Sequence, residues 1–76
     1  MIESWVLIEE QNVNIEALRS VSLANAKHLV VGSVPGSGVI LHVAANSPAD
    51  LGNALLEFVQ VPGVTEVLTL ALRNQY

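Results

Sequence analysis

The most constraining feature of this 76-residue chain is that one order of segments occurs twice. An apolar strand-like run, a helix-like run and a second apolar run occupy residues 5–34, and the same order returns over residues 39–72. Two strand–helix–strand units of this size are typical of a split βαβ sandwich, in which an antiparallel sheet carries helices on one face only. The repeat therefore predicts one α+β domain over residues 1–76, with ferredoxin-like βαββαβ topology, a four-stranded sheet and two helices.

Local signals place the two helices. The first is predicted by an apolar stripe at helical spacing, capped by Asn12 or Asn14, and the stripe consists of Ile15, Leu18, Val21 and Ala26. The second has a stronger start signal, because Ser47 is a favourable N-cap, Pro48 suits the first helical position and Asp50 completes a capping box. Its stripe consists of Leu51, Leu55, Phe58 and Val59. Pro62-Gly63 is expected to end it.

Runs of β-branched and aliphatic residues predict four strands, over residues 5–8 (ending near residue 10), 28–31, 39–45 and 64–72. Residues 32–38 are rich in turn formers and predict a hairpin loop between the second and third strands. Within this loop, Gly36-Ser37-Gly38 offers backbone N–H groups that can surround an anion. The segment has no adjacent lysine and does not lead into a helix, so a turn that needs positive φ is the favoured interpretation.

The predicted sheet is apolar on both faces. Side chains alternate along a strand, and in these strands the set that points away from the helices is largely aliphatic whichever set faces inward. Hydrophobic residues make up 51% of the chain and charged residues 13%, against about 25% charged in an ordinary soluble domain. A bare apolar face needs a partner, so we expect a homo-oligomer built from a sheet-to-sheet dimer, a dimeric α/β barrel. The residues expected at the dimer interface are Trp5, Ile8, Ile40, His42 and Val67. Leu56 is expected at a second contact, between dimers.

Charge and length argue against several function classes. Three basic and seven acidic residues give a net charge of −4, which disfavours binding to nucleic acid or to an anionic membrane surface. The apolar runs are shorter than the ~20 residues of a membrane-spanning helix. The N-terminal segment has no basic region of the kind that begins a secretory signal, so a cytoplasmic location is expected.

Few residues carry the chemistry of a catalytic or metal site. The chain has no cysteine, and its only histidines, His28 and His42, have no carboxylates at ligand spacing, so neither a metal nor another cofactor is expected. The sequence shows no serine- or lysine-centred nucleophile arrangement, and no catalytic residue is predicted. A small dimeric-barrel enzyme with His42 in its cleft is kept as an alternative.

The segment Val61-Pro62-Gly63-Val64 followed by Thr69 resembles the closing strand of the effector-binding domain of Lrp/AsnC regulators, which also occurs as a stand-alone module. A glycine-containing hairpin before the third strand extends the resemblance over most of the chain, although the family's Gly-Asp-Tyr-Asp motif is here Gly-Ser-Gly-Val. The resemblance implies dimers that assemble into rings and bind a small metabolite between dimers, near the hairpin. Residues implied in ligand binding are Gly36, Ser37, Gly38 and Thr69.

A second resemblance is to the maturation chaperone of the periplasmic nitrate reductase, which binds a twin-arginine signal peptide on its sheet. Pro35, Leu51 and Gly63-Val64 match its spacing, whereas its Tyr-His strand ending is here Ala71-Leu72. We therefore expect a non-enzymatic oligomeric module that senses a small ligand or mediates an interaction, and keep a peptide-binding chaperone that uses a sheet edge as the alternative.

Overall fold

A computed structural model of the protein describes residues 1–10 and 15–74. In chain order, its elements are β1 (Ile2–Glu10), α1 (Ile15–Arg19), β2 (Ala26–Val34), β3 (Gly38–Ala45), α2 (Pro48–Val59) and β4 (Val64–Asn74). The strands form one antiparallel sheet in the order β2-β3-β1-β4, so β1 and β3 are central and β2 and β4 lie at the edges. The predicted α+β fold of ferredoxin-like topology is confirmed.

The strand pairing contains three local register shifts, one of which, between Glu9 and Glu10, passes over Thr65 of β4. Between β1 and β4, Trp5 pairs with Ala71 whereas Val6 pairs with Thr69, so Leu70 has no partner and forms a β-bulge. A similar shift between β2 and β3 leaves Val31 unpaired. Away from these shifts, the register decides which side chains share a face of the sheet, because directly paired residues point to the same side.

One face of the sheet, which we call the covered face, packs against the helices and forms the core. The even-numbered side chains of β1 point to this face together with alternate residues of β3. The buried hydrophobic residues are Ile2, Val6, Ile8, Leu18, Val39, Leu41, Val43, Ala45, Leu51, Ala54 and Phe58. The one buried polar residue among those described, Ser4, donates its hydroxyl hydrogen to the Ala71 carbonyl at 3.2 Å, so its burial leaves no unpaired donor.

Helix α2 begins as the sequence predicts. The Ser47 hydroxyl accepts a hydrogen bond from the Asp50 N–H at 3.2 Å and donates one to the Asp50 carboxylate at 2.9 Å, with Pro48 in the first turn. The helix buries Leu51, Ala54 and Phe58. Its core-facing stripe differs from the predicted one at the end, because Val59 remains 52% exposed.

Helix α1 is much shorter than predicted. It covers only Ile15–Arg19, so Val21 follows the helix and Ala26 begins β2 instead of closing a helical stripe. The expectation fails because Ser20, Ser22 and Asn25 are weak helix formers. Asn25 then adopts a left-handed conformation (φ 57°) that turns the chain into β2. The predicted caps, Asn12 and Asn14, lie outside the described residues.

The edge strands are longer than predicted. β2 extends to Val34 and includes Gly32, which the sequence analysis assigned to the hairpin loop, and β4 continues to Asn74. Cross-strand hydrogen bonding to the central strands carries these residues into the sheet despite their turn-forming composition. Neither helix in the described part of the chain is long and apolar enough to cross a bilayer.

Candidate functional site

The face of the sheet opposite the helices, which we call the open face, is the largest surface that the fold leaves uncovered. The strand register arranges its side chains in three rows across all four strands and one pair on β1 and β4. These are a cationic row (Lys27, Ala44, Glu3, Arg73), an aromatic row (Leu29, His42, Trp5, Ala71), an aliphatic row (Gly32, Ile40, Leu7, Leu68) and an acidic pair (Glu9, Glu66).

The two middle rows make the open face apolar. Leu29 is 65% exposed and Leu68 is 37% exposed, while Leu7, Ile40 and Trp5 are half-buried. Four strands about 4.8 Å apart and eight residues long at about 3.3 Å each give a footprint of roughly 500 Å². Two of the four rows are apolar, so the apolar part covers roughly half of this footprint, and an exposed apolar patch of that size is often functional.

The aromatic row contains a partly buried histidine next to a carboxylate. The rings of Trp5 and His42 meet edge to face, with centroids 4.9 Å apart. His42 Nε2 lies 3.6 Å from Glu3 Oε1, and the two side chains are 26% and 19% exposed. Such a pair can hold or pass on a proton. The cationic row beside it adds Lys27, whereas neither neighbouring row carries a serine or cysteine.

The acidic pair lies at the opposite end of the open face from the cationic row. Glu9 and Glu66 are direct cross-strand partners, an arrangement that normally destabilises a sheet when both side chains are charged. The pKa of the Glu9 carboxyl is raised, first by a hydrogen bond with the Glu66 carboxyl, then by loss of hydration and by the negative charge of Glu66. The hydrogen bond requires a proton on one of the two groups, so this end of the sheet prefers to hold a proton or to meet a positive charge.

The predicted interface residues do not all share a surface. Trp5, Ile40 and His42 lie together on the open face. Ile8 and Val67 pair with each other on the covered face, where Ile8 is 0% exposed, so they do not lie beside Trp5, because neighbouring residues of a strand point to opposite sides. Ile8 is a core residue.

Leu56 lies on α2 and is 60% exposed, away from both faces of the sheet. Its predicted contact between dimers remains a prediction.

The glycine hairpin has a structural explanation. The Ser37 N–H donates to the Val34 carbonyl at 2.9 Å across Pro35 and Gly36, and Gly36 has a φ of 76°, as a type II turn requires. Gly38 has a φ of 148°, and a Cβ atom there would lie 2.0 Å from the Ile8 carbonyl oxygen. Close approach to β1 therefore demands glycine at this position.

The hairpin also borders a shallow cavity of about 280 Å³ that includes Gly36, Ser37 and Gly38. Thr69, the fourth predicted ligand contact, lies on β4, where it pairs with Val6 of β1, and β1 separates it from β3, which begins at Gly38. One chain therefore does not bring all four residues together. A site that contains them needs Thr69 from another subunit.

A second cavity, of about 290 Å³, opens beside the cationic row and is lined by Met1, Asn25, Ala26, Lys27, Ala44 and Asn46. Sequence reasoning missed the charges at the two ends of the open face. Lys27 and Arg73 are 46 positions apart in the chain and are brought into one row only by the strand register. Among the described residues, no group of three or more His, Asp or Glu side chains is placed to hold a metal ion.

A scan against protein-family models and searches of curated proteins and of solved structures found no match to this chain.

Proposed function

We propose that this protein is a non-enzymatic module that associates with a second copy of itself through the open face and binds a small ligand at a subunit junction. The observation that carries the proposal is the exposure of the aromatic and aliphatic rows. Leu29 is 65% exposed, and Trp5 and Ile40 beside it are half-buried. Transfer of these side chains out of water is the main free energy that self-association would gain.

The size of the open face supports a dimer. Two footprints of roughly 500 Å² bury about 1,000 Å², which reaches the lower limit of specific protein–protein interfaces. Two of the four rows are apolar, so roughly 500 Å² of this area is apolar, and at about 25 cal/mol per Å² its burial gains about 12 kcal/mol, which is comparable to the cost of about 4–15 kcal/mol for associating two molecules. We therefore expect a dimer that forms in the micromolar range and responds to single substitutions.

Ligand binding is the second part of the proposal. The hairpin cavity offers backbone groups of Gly36, Ser37 and Gly38, and its volume of about 280 Å³ suits a metabolite-sized molecule. Because Thr69 lies two strands away, the ligand would sit between subunits, as the resemblance to Lrp/AsnC effector domains implies. The proposed setting is the cytoplasm, with neither nucleic acid nor a membrane as partner.

Sedimentation velocity tests the self-association. Because a micromolar affinity is expected, the protein concentration is varied over roughly 1–100 µM. Trp5 is the only tryptophan, so its emission reports directly on the open face and should shift to the blue as the protein associates. Leu29→Lys should yield a monomer. Leu56→Lys is the matched control, because Leu56 is similarly exposed, at 60%, but lies on α2, so this variant should still dimerise.

A wild-type protein that stays monomeric at the highest concentration, with unchanged Trp5 emission, would refute the proposal. If the Leu56 variant loses only assemblies larger than a dimer, the predicted second contact between dimers gains support.

A peptide-binding chaperone is the second candidate, favoured by the free edge of β4. This edge strand is 11 residues long and exposes Leu70 (54%) and Leu72 (63%), as a strand that accepts an added peptide would. Titration with a twin-arginine signal peptide, monitored by calorimetry and by the mass of the protein in solution, distinguishes the chaperone from the self-associating module. Peptide binding by a monomeric protein would favour the chaperone, and the absence of heat with a dimeric mass would favour the module.

A further inference from the structure

We propose that β4 pairs with β4 of a second copy, antiparallel and edge to edge, with Glu66 of each copy opposite Arg73 of the other. The two four-stranded sheets then continue into one sheet. This contact uses the free edge of β4 and leaves the open face uncovered, so it goes beyond the self-association proposed above and is independent of it.

The free edge of β4 is long, apolar and unprotected. β4 runs over 11 residues and contains neither lysine nor proline, which are among the residues that keep an edge strand from pairing. Leu72 points to the covered face, as its partner Ser4 does, yet it is 63% exposed, so the helices leave this end of the strand uncovered. Leu70 is 54% exposed. An edge with these properties is a template for a further strand.

The bulge at Leu70 makes β4 complementary to itself. Directly opposed residues of an antiparallel pair point to the same face of the sheet, whereas residues seven positions apart in a regular strand point to opposite faces. Glu66 points to the open face, as its partner Glu9 does. Arg73 points to the same face, opposite Glu3, because the bulge adds one residue to the strand between them. A two-fold axis perpendicular to the sheet at the bulge therefore brings matching faces together.

The resulting ladder has three matched pairs on each side of the bulge. With one residue from each copy, they are Glu66–Arg73, Val67–Leu72 and Leu68–Ala71. Residues of β4 that share a face also direct their backbone N–H and C=O groups to the same side, because the pairing with β1 is regular before and after the bulge. These pairs can therefore hydrogen-bond across the new edge. The exposed Leu72 also gains the half-buried Val67 as an apolar neighbour.

The charges favour this register. Glu66 and Arg73 of one chain cannot meet, because their partners on β1 are six residues apart, or about 20 Å at ~3.3 Å per residue. Arg73 has no carboxylate within 4.0 Å in the described part of the chain, and the neighbouring Glu3 lies 3.6 Å from His42. Glu66 faces the like charge of Glu9. Pairing across the two-fold axis gives Glu66 and Arg73 an opposite charge at both ends of the ladder.

Other registers lose these contacts. A shift by two residues that keeps the faces matched places Arg73 opposite Leu68 and moves Glu66 opposite position 75, outside the described residues. The shift in the other direction sets Leu68, on the open face, opposite Thr69, on the covered face, which antiparallel pairing does not permit.

The edge contact is weaker than the open-face contact. A ladder along one strand buries less than the roughly 1,200 Å² of standard specific interfaces, so we expect a dissociation constant on the order of 1 mM. At the roughly 1–100 µM used to test the open face, the edge contact is therefore scarcely populated, and Leu29→Lys is still expected to be monomeric.

Disulfide trapping tests the edge contact directly, because the chain has no cysteine of its own. Val67→Cys and Leu72→Cys chains are mixed at about 1 mM in a glutathione buffer, both carrying Leu29→Lys to remove the open-face association. Residues 67 and 72 point to the covered face, so an open-face contact would not bring them together. The mixed disulfide should form at least about fivefold faster than in the matched control, Leu56→Cys on α2 mixed with Leu72→Cys.

Charge reversal tests the register. In the same trapping pair, Glu66→Arg in both chains places like charges at both ends of the ladder and should slow the disulfide by about fivefold or more. Arg73→Glu in both chains should do the same. A Glu66→Arg chain carrying Val67→Cys, mixed with an Arg73→Glu chain carrying Leu72→Cys, has opposite charges at both ends, so its rate should return to within about twofold of the unreversed pair. Glu57→Arg, on α2, should leave the rate unchanged within about twofold.

The outcomes for the edge and for the open face are separate. Circular dichroism checks that each variant folds, and Leu68→Cys with Ala71→Cys replaces the trapping pair if the half-buried position 67 does not tolerate cysteine. Trapping no faster than the α2 control, or no recovery in the mixed charge pair, would overturn the edge contact. If a twin-arginine peptide then still binds, the β4 edge accepts a peptide instead of a second copy. The open-face proposal is decided by the mass and Trp5 emission of the wild type, which these variants do not affect.

Discussion

The two faces of the sheet are built from the same strands and are both apolar, yet they differ in what completes them. On the covered face, Val6 and Ile8 are 0% exposed and pack against residues such as Phe58. On the open face, Trp5 and Leu7 alternate with them along β1 but remain half-buried, and charged side chains lie at both ends. Hydrophobicity alone therefore does not distinguish the covered face from the open face, whereas the charges at the two ends of the open face do.

The largest effect is expected in the core of the covered face. Phe58 is completely buried and its ring lies edge to face with His28, at a centroid distance of 5.1 Å. Phe58→Ala should lower the free energy of unfolding by about 3–5 kcal/mol through lost burial and the resulting cavity. Leu29→Ala, on the open face, should cost less than about 0.5 kcal/mol in the monomer. Urea unfolding of dilute protein measures both, and equal losses would abolish the distinction between the faces.

The next largest effect is expected where β3 approaches β1. Gly38→Ala would place a Cβ atom 2.0 Å from the Ile8 carbonyl oxygen at a φ of 148°, so the backbone must move. We expect a loss of about 1–3 kcal/mol in thermal or urea unfolding. Gly32→Ala is the control, since a Cβ atom there meets nothing within 4 Å. If both variants were equally stable, the glycine at position 38 would need an explanation other than strand approach, such as a ligand.

A moderate effect is expected at the start of α2, which helps to close the covered face. Ser47→Ala removes the hydroxyl that accepts from the Asp50 N–H and should destabilise the protein by about 1 kcal/mol. Ser37, in the exposed hairpin turn, uses only its backbone N–H in the described contacts. Ser37→Ala should therefore change the stability by less than about 0.5 kcal/mol. Thermal melts of the two variants, compared with wild type, check this difference.

The smallest effect is expected at the acidic pair and depends on pH. The pKa of Glu9 is raised in the folded state, so the stability that the pair contributes is present at low pH and is lost as the pH rises through that raised pKa. Glu9→Gln should therefore make the monomer slightly more stable than wild type at neutral pH, and the difference should vanish in acid. Melting temperatures from pH 3 to 8, roughly spanning the glutamate range, test this.

The control variant Glu57→Gln, on α2, should show no such pH-dependent difference in melting temperature from wild type. Equal pH profiles for the two variants would contradict the contribution of the Glu9–Glu66 pair to stability.

Much of the fold is predictable from this sequence. The alternating apolar runs predict all four strands, and the Ser47-Pro48-Ala49-Asp50 capping signal predicts the start of α2, because both depend on neighbours in the chain. The same local signals predicted too long an α1, because Ala26 was assigned to the helical stripe whereas it begins β2. It also ended β2 too early, since a strand at Gly32 and Val34 depends on hydrogen bonds to β3.

The candidate site is less predictable. All five sheet residues predicted at an interface come from apolar strands, yet Trp5, Ile40 and His42 share the open face whereas Ile8 and Val67 lie on the covered face. When the odd-numbered and the even-numbered residues of a strand are both apolar, the pattern does not predict which set faces the helices. Burial decides this, and burial is a property of the assembled sheet.

The sequence by itself determined the order of the elements, the apolar character of both sheet faces and the capped start of α2, because spacing and local hydrogen bonding are encoded between neighbouring residues. Only the tertiary structure decided which phase of each strand is buried and that Lys27 and Arg73 share a row while Glu9 meets Glu66. The physical reason is that strand register joins residues distant in the chain, and a shift of one residue would send every one of these side chains to the opposite face.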